Sequence, residues 1–289
     1  MTEMQRVEAA QTDPEDPRKA FPRSDTAAAP VGSRSERVVI RITDLVMSYG
    51  GAEPVLAGAS LKVREGEFVS LVGPSGSGKS TVLRAIAGLH APAGGTVERF
   101  VSLEDMGFLF QDDALLPWRT AQDNVALGLR LRGKSRAEAR AEADQWLSQL
   151  GLAHFGLRYP RQLSGGQRKR VALAQVLALR PKLLLMDEPF ASLDAIVRHR
   201  VTQELLEWVE REKITVLLVT HDLEEAQALS DTIYLLSRGP RALIRSRYEV
   251  RIARPRDLIH VRGHPSFAPL LQRIWDDLWD EVDVDGGGA

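Results

Sequence analysis

The sequence predicts an α/β fold built on a mostly parallel sheet. Three observations carry that expectation. Short, continuously apolar runs recur at "GEFVSLVG" (66–73), "MGFLF" (106–110), "KLLLMDE" (182–188) and "ITVLLVT" (214–220). Helical patterns lie between them, and strands apolar on both faces suit a parallel sheet covered by helices. The first run also ends in a glycine-rich stretch, "GPSGSGKST" (73–81), that opens directly into a helical pattern.

The elements follow in order along the chain. Residues 1–36 mix Pro, Ala, Ser, Asp and Arg without periodicity and read as a disordered tail. From residue 37, Val38, Ile40 and Ile42 alternate with Val39, Arg41 and Thr43 as in a strand. Beyond the glycine loop, Val82, Leu83, Ile86 and Leu89 repeat at helical spacing. Between about 112 and 165 the character is helical, and the segment reads as an insertion into the sheet pattern. Within it Ser135 and Glu138 stand at capping-box spacing, Trp146, Leu147 and Leu150 form an apolar face, and Gly151 marks a stop. Residues 246–289 form a C-terminal extension in which Phe267, Leu270, Leu271, Ile274 and Leu278 share one helical face opposite acidic residues. That face fits either packing on its own domain or contact with a partner. The closing "DGGGA" is expected to be disordered.

Composition excludes several classes. Over 289 residues, 44% are apolar and 27% charged, which fits a folded soluble chain with a sizeable core. A formal net charge of -1 gives no electrostatic case for nucleic acid, and short basic runs such as "RKR" (168–170) read as solvated surface. Without a single cysteine, disulfide scaffolds and thiolate metal sites are excluded. No apolar run approaches the ~20 residues of a membrane helix, and the N-terminus lacks the apolar centre of a secretory signal. The chain is expected to stay where it is made, and any membrane role to come through a partner.

Gly73, Gly78, Lys79 and Ser80 match G-x-x-x-x-G-K-[ST]. Glycines let the backbone turn around phosphates, the lysine supplies a cation, and the serine hydroxyl can ligate Mg²⁺. "LLLMDEP" (183–189) is a strand that ends in a carboxylate, which places Asp187 where it can hold Mg²⁺. Glu188, next in line, is the candidate to deprotonate an attacking water. His221 and Gln111 each follow an apolar strand, and ligands bind outside the carboxyl ends of such strands. "LSGGQRKR" (163–170) is a second stretch in which serine and paired glycines precede a helical run and offer backbone N–H groups to an anion.

Taken in order, the phosphate loop, Gln111, "LSGGQ" (163–167), "LLLMDEP", "ASLD" (191–194) and His221 resemble the ATP-binding subunit of an ATP-binding-cassette (ABC) transporter. The resemblance covers roughly residues 37–240, and the cassette is placed at 37–245. It implies a P-loop NTPase fold with a RecA-like sheet core, an N-terminal antiparallel β portion and a helical subdomain. ATP and Mg²⁺ are the implied ligands. Gly73, Pro74, Ser75, Gly76, Ser77, Gly78, Lys79, Ser80 and Thr81 would wrap the phosphates, with Ser80, Gln111 and Asp187 around the metal. Glu188 would act as general base, His221 as γ-phosphate sensor, and Tyr49 as the aromatic that stacks on adenine; the plainer reading of Tyr49 is a strand-end tyrosine. Ser164, Gly165, Gly166 and Gln167 would contact ATP held by a second copy of the chain, with Asp194 shaping that interface. The departure from the family pattern is Lys169, where members often carry glutamine, and it puts no catalytic residue in doubt.

Chromosome-maintenance ATPases of this family insert long coiled coils, for which residues 90–162 are too short, and translation factors usually carry two cassettes. Exporters fuse the cassette to membrane helices. With a soluble ABC ATPase not engaged in transport, such as a cofactor-assembly ATPase, as the alternative, the expectation is an importer subunit at the cytoplasmic face of the bacterial inner membrane. It would work as a homodimer with two separate permease subunits and a periplasmic binding protein. "LLPWRT…DNV" (115–125) resembles the nitrate, sulfonate and taurine subfamily, and "RPRD" (254–257) points towards aliphatic sulfonates. The pair Pro117 and Trp118 would then meet a partner's short helix, unless Trp118 is buried within its own insertion.

Overall fold

The computed structural model describes residues 35–51, 53–191 and 193–283. Of the tail expected over 1–36, residues 1–34 lie outside these residues, as does the closing "DGGGA". The chain opens with β1 (Val38–Met47), β2 (Leu56–Arg64), β3 (Phe68–Val72), α1 (Lys79–Ile86), β4 (Gly94–Arg99) and β5 (Met106–Leu109). Three helices follow: α2 (Ala121–Leu131), α3 (Arg136–Gln149) and α4 (Gly165–Leu177). Strand and helix then alternate through β6 (Leu183–Asp187), α5 (Ala195–Glu212), β7 (Thr215–Val219), α6 (Leu223–Leu229) and β8 (Thr232–Leu236). β9 (Ile244–Glu249) and α7 (Phe267–Asp283) close the described chain.

The strands form two sheets. β2, β1 and β4 make an antiparallel sheet with β1 in the middle. The six-stranded sheet runs β5-β6-β7-β3-β8-β9, parallel except for the last pair. Both faces of its central strands are buried, which explains their unbroken apolar runs. Leu184 and Met186 of β6 pack towards α2, α3, α4 and α5, while Leu183 and Leu185 pack towards α1 and the antiparallel sheet.

Local chemistry sets the helix ends. Ser135 and Glu138 form the capping box that starts α3, and Gly151 takes φ 69° just beyond its end. α1 is shorter than its sequence pattern: it ends at Ile86, and Leu89 lies exposed past the left-handed Gly88. The boundary expected at 245 falls inside β9, which pairs with β8. α7 also shares a core with the cassette. Phe267 and Ile274 are buried with Leu223, Ile233 and Tyr248, and Leu270, Leu271 and Leu278 pack beside them. Trp275 and Trp279 remain exposed on its outer side.

"RPRD" proves to be a lock within the fold. Buried Asp231 accepts from the Phe68 amide (2.9 Å), from Arg256 Nη2 (3.1 Å) and from Arg254 Nη2. Arg256 also donates to Ser230 O (2.7 Å) and Ile252 O (3.0 Å). These bonds tie the end of β9 and the turn beyond it to β3. Removing one partner of a buried charge network costs about 3–5 kcal/mol. Asp231→Ala is therefore expected to lower unfolding stability by about that much in urea titration.

Candidate active site

β5, β6, β7 and β3 lie side by side and parallel, so their carboxyl ends open on one edge of the sheet. Leu71, Val219 and Asp187 share one row of that sheet. Just past the row stand the phosphate loop after β3, His221 after β7, Glu188 after β6 and Gln111 after β5.

The loop between β3 and α1 turns on glycines in left-handed backbone. Gly76 and Gly78 take φ 77° and 93°, and a Cβ on Gly78 would come within 2.8 Å of Val55. Lys79 is buried and its Nζ donates to Gly73 O (2.9 Å) and Pro74 O (2.8 Å). Burial lowers its pKa, while Glu188 and Asp187 pull it back up. Ser77 is fully buried, and its Oγ has no hydrogen-bond partner. A buried orphan hydroxyl, a lysine held by loop carbonyls and a glycine-shaped turn fit a bound phosphate.

Ser80 Oγ donates to Asp187 Oδ1 at 2.8 Å. Burial raises the pKa of Asp187, the Ser80 bond lowers it, and the charge of Glu188 raises it again. Among the described residues no group of three or more metal-ligating side chains gathers. One hydroxyl and one carboxylate instead suit a hard cation that keeps water and phosphate oxygens as its other ligands, as Mg²⁺ does.

Glu188 carries φ 45°, a left-handed backbone uncommon outside glycine, and its amide donates to Val219 O (2.9 Å). That turn sets its carboxylate beside His221, with Nδ1 3.1 Å from Oε2. The His221 loop is braced from below. Thr220 Oγ1 donates to Glu225 Oε2 (2.6 Å) and accepts from the Asp222 amide (3.1 Å).

Other expected residues are more spread out. Tyr49 is exposed, with its hydroxyl 3.2 Å from Thr81 Oγ1 and its ring 4.4 Å from that of His90. Gln111 is also exposed, and its carbonyl accepts from Lys169. Ser164 caps α4: its Oγ accepts from the Gln167 amide (3.2 Å), and Gln167 Oε1 accepts from the Ser164 amide (2.9 Å). Gly165 and Gly166 open that helix, where N–H groups have no partner one turn back. Asp194 caps α5 through the Val197 amide (3.1 Å). Among the described residues no hydrogen bond or ion pair joins Ser164–Gln167 to residues 73–81. Glu188 with His221, Ser80 with Asp187, and Lys79 gather at one place; the signature serine bonds within its own helix.

Comparison with known proteins fits this geometry. The family described as "ABC transporter" matches residues 56–191. The taurine import ATP-binding protein TauB of Chromobacterium violaceum is 43% identical over 240 residues, covering 80% of this chain and 91% of its own. The aliphatic sulfonates import ATP-binding protein SsuB of Albidiferax ferrireducens is 43% identical over 253 residues, covering 85% and 84%. This chain belongs to the ABC transporter family. A dimeric post-hydrolysis state of the ATP-binding cassette MJ0796 with ADP and Pi superposes with a TM-score of 0.67 at 33% identity, covering 74% of this ABC protein and all of that chain. Family and structural neighbour together support ATP hydrolysis as the activity. The bicarbonate transport ATP-binding protein CmpC of Synechocystis is also 43% identical, over 239 residues, but the chain spans only 35% of its length. Identity is 43% to the taurine, sulfonate and bicarbonate proteins alike, so it does not select the anion.

Lys169, His90 and Glu225 are the site neighbours that sequence reasoning missed. The departure from glutamine at 169, facing the acidic pair Asp112 and Asp113, was the available signal for the first. Glu225 carries a testable consequence. Burial pushes its carboxyl from 4.5 to about 7, Asp222 adds repulsion, and Thr220, Arg198 and His221 oppose the rise. A carboxyl with a raised folded-state pKa binds its proton more tightly when folded, so stability falls as pH climbs from about 4.5 to about 7. Glu225→Gln is expected to flatten that fall, by up to roughly 3 kcal/mol, in thermal unfolding across the same range.

Proposed function

We propose that this chain is the ATP-hydrolysing subunit of an importer for small anions, driven by ATP-dependent pairing of two copies. The observation that carries the reading is the row of strand ends. It sets a phosphate-shaped loop, an oxygen pair for a cation, and a carboxylate with an imidazole partner on one edge of the sheet.

In this reading Lys79 exchanges its loop carbonyls for phosphate oxygens, and residues 73–81 hold the phosphates through their amides. Ser80, Asp187 and Gln111 would hold Mg²⁺, which would supply neutralisation of phosphate charge. Glu188 takes the proton from the attacking water. The contact with His221 at 3.1 Å orients that carboxylate and leaves the imidazole beside the γ-phosphate as its sensor. Tyr49 stacks on adenine, supported by its position beside Thr81.

Ser164, Gly165, Gly166 and Gln167 supply the other half of a site on the second copy, with Asp194 at the same interface. That no hydrogen bond or ion pair joins them to the phosphate loop among the described residues supports completion in trans, as does the dimeric MJ0796 neighbour. ATP then favours the closed pair because only ATP reaches both halves, and hydrolysis removes the shared ligand.

Trp118, 71% exposed, supports docking onto a membrane permease. It sits on a turn fixed by buried Asn124, which accepts from the Leu116 amide (2.7 Å) and donates to Leu116 O, Arg119 O and Thr120 O. An aromatic anchor on a rigid turn is suited to an interface. Among the described residues no helix is long and apolar enough to cross a membrane. Two permease subunits and a periplasmic binding protein would complete the system at the cytoplasmic face of the inner membrane. Of the possible anions we favour sulfonates. Two relatives that this chain matches along most of their own length, at 91% and 84%, carry taurine and aliphatic sulfonate names, and taurine is itself a sulfonate.

Three experiments test these steps. Glu188→Gln should slow hydrolysis on the order of 10²-fold or more while ATP binding persists, with an ATP-dependent dimer in size-exclusion chromatography; normal turnover would remove Glu188 from the base role. Ser164→Arg should spare ATP binding by the monomer and block hydrolysis, and loss of monomer binding would refute completion in trans. In vesicles containing the chain with its permease and binding protein, an alkanesulfonate should stimulate ATP hydrolysis. Stimulation by nitrate or bicarbonate alone would overturn the sulfonate assignment.

A further inference from the structure

Lys169 is a cation buried in α4, one turn beyond the signature glycines, with its side chain 3% exposed. Its Nζ donates to Phe110 O at 3.0 Å and to Gln111 O at 2.7 Å, and lies 3.8 Å from Asp113 Oδ1. Its neighbour Arg168 grips the same segment, with Nε 3.1 Å from Asp113 Oδ2 and Nη1 donating to Leu163 O at 2.9 Å. Residues 110–113 are thus fastened to the helix that the signature begins.

A buried ammonium is costly unless its donors are satisfied. Here two of its three donors go to main-chain carbonyls. Holding those two peptide groups fixes where the Gln111 backbone stands and leaves its exposed side chain free to aim outwards. Burial lowers the pKa of Lys169, while Asp113, Asp112 and Asp187 favour the charged form.

We propose that Lys169 is a positioning residue that acts through Gln111, clamping the backbone on which Gln111 is carried to the helix that bears the signature. A shift of α4, as when the signature seats on a second copy's nucleotide, then carries Gln111 with it. This rests on the proposed role of Gln111 in hydrolysis. It adds a physical link between the trans half-site and the cis half-site of one chain, made by a residue at which the family often has glutamine.

The test is a double-mutant cycle on ATPase activity, with nucleotide affinity measured for each variant. Lys169→Met should lower kcat about tenfold, as a misplaced group does, with KM for ATP within about twofold. Lys169→Gln, which keeps amide donors, should restore most of the rate. Gln111→Ala should lower kcat too, and the double variant should be no slower than Gln111→Ala alone. If the two losses multiply, Lys169 does not act through Gln111 and the inference falls, with the role of Gln111 intact. If Gln111→Ala turns over normally, the role of Gln111 falls and this inference with it. Should Lys169→Met not fold, Lys169→Ala takes its place in the cycle; failure of both to fold would assign Lys169 to stability and overturn the positioning role.

Discussion

The site depends on one constraint, the level parallel pairing of β3, β7 and β6. Leu71, Val219 and Asp187 share a row, so each chain leaves the sheet at nearly the same height and on the same edge. Lys79, Asp187, Glu188 and His221 are far apart in sequence, and that row is what brings them together. A one-residue slip of β6 against β7 would turn Asp187 to the other face of the sheet. It would break the Ser80 bond and carry Glu188 away from His221. Both faces of these strands are packed with apolar side chains, and that packing resists such a slip.

Within this frame the charges are held in temporary partnerships. Lys79 bonds two carbonyls of its own loop, Ser80 bonds Asp187, and Glu188 bonds His221. Each is a bond that a phosphate or a cation can replace with a similar or stronger one, so ligand entry need not leave a buried charge bare. The unpartnered hydroxyl of Ser77 is the exception. It carries a desolvation cost that a bound phosphate oxygen would relieve. The left-handed turn at Glu188 is a second local cost, held in place by the bond from its amide to Val219 O at the end of β7.

Much of this was legible in the sequence, for reasons that are local. β3, β5, β6 and β7 announce themselves because a strand buried on both faces must be apolar throughout. The capping box at Ser135 is equally plain, since cap chemistry needs only neighbouring residues. Features set by tertiary contact were hidden. The end of α1 before Leu89 reflects the turn at Gly88, and the continuity of β9 across residue 245 reflects pairing with β8. "RPRD" reads in the sequence as a likeness to sulfonate importers, and only the fold shows that its buried arginine serves Asp231 and the carbonyls of Ser230 and Ile252. Lys169 looked like surface charge in a basic run, and only the fold reveals two carbonyls waiting for it.

On the proposed reading the signature segment has two duties that do not conflict. As a capping box, Ser164 uses its Oγ as an acceptor and its backbone amide as a donor, both within its own helix. That leaves the hydroxyl proton and the amides of Gly165 and Gly166, all donors, facing out from the positive end of α4. A surface that offers only donors has little affinity for a neutral partner and rewards an anion brought to it. Because these donors are fixed by the cap and carry no full charge, they act at contact distance. On the proposed reading, ATP on a second copy would be held by them only once the two copies have closed. The strength of pairing would then follow the presence of the terminal phosphate, and not the general electrostatic attraction of a near-neutral chain.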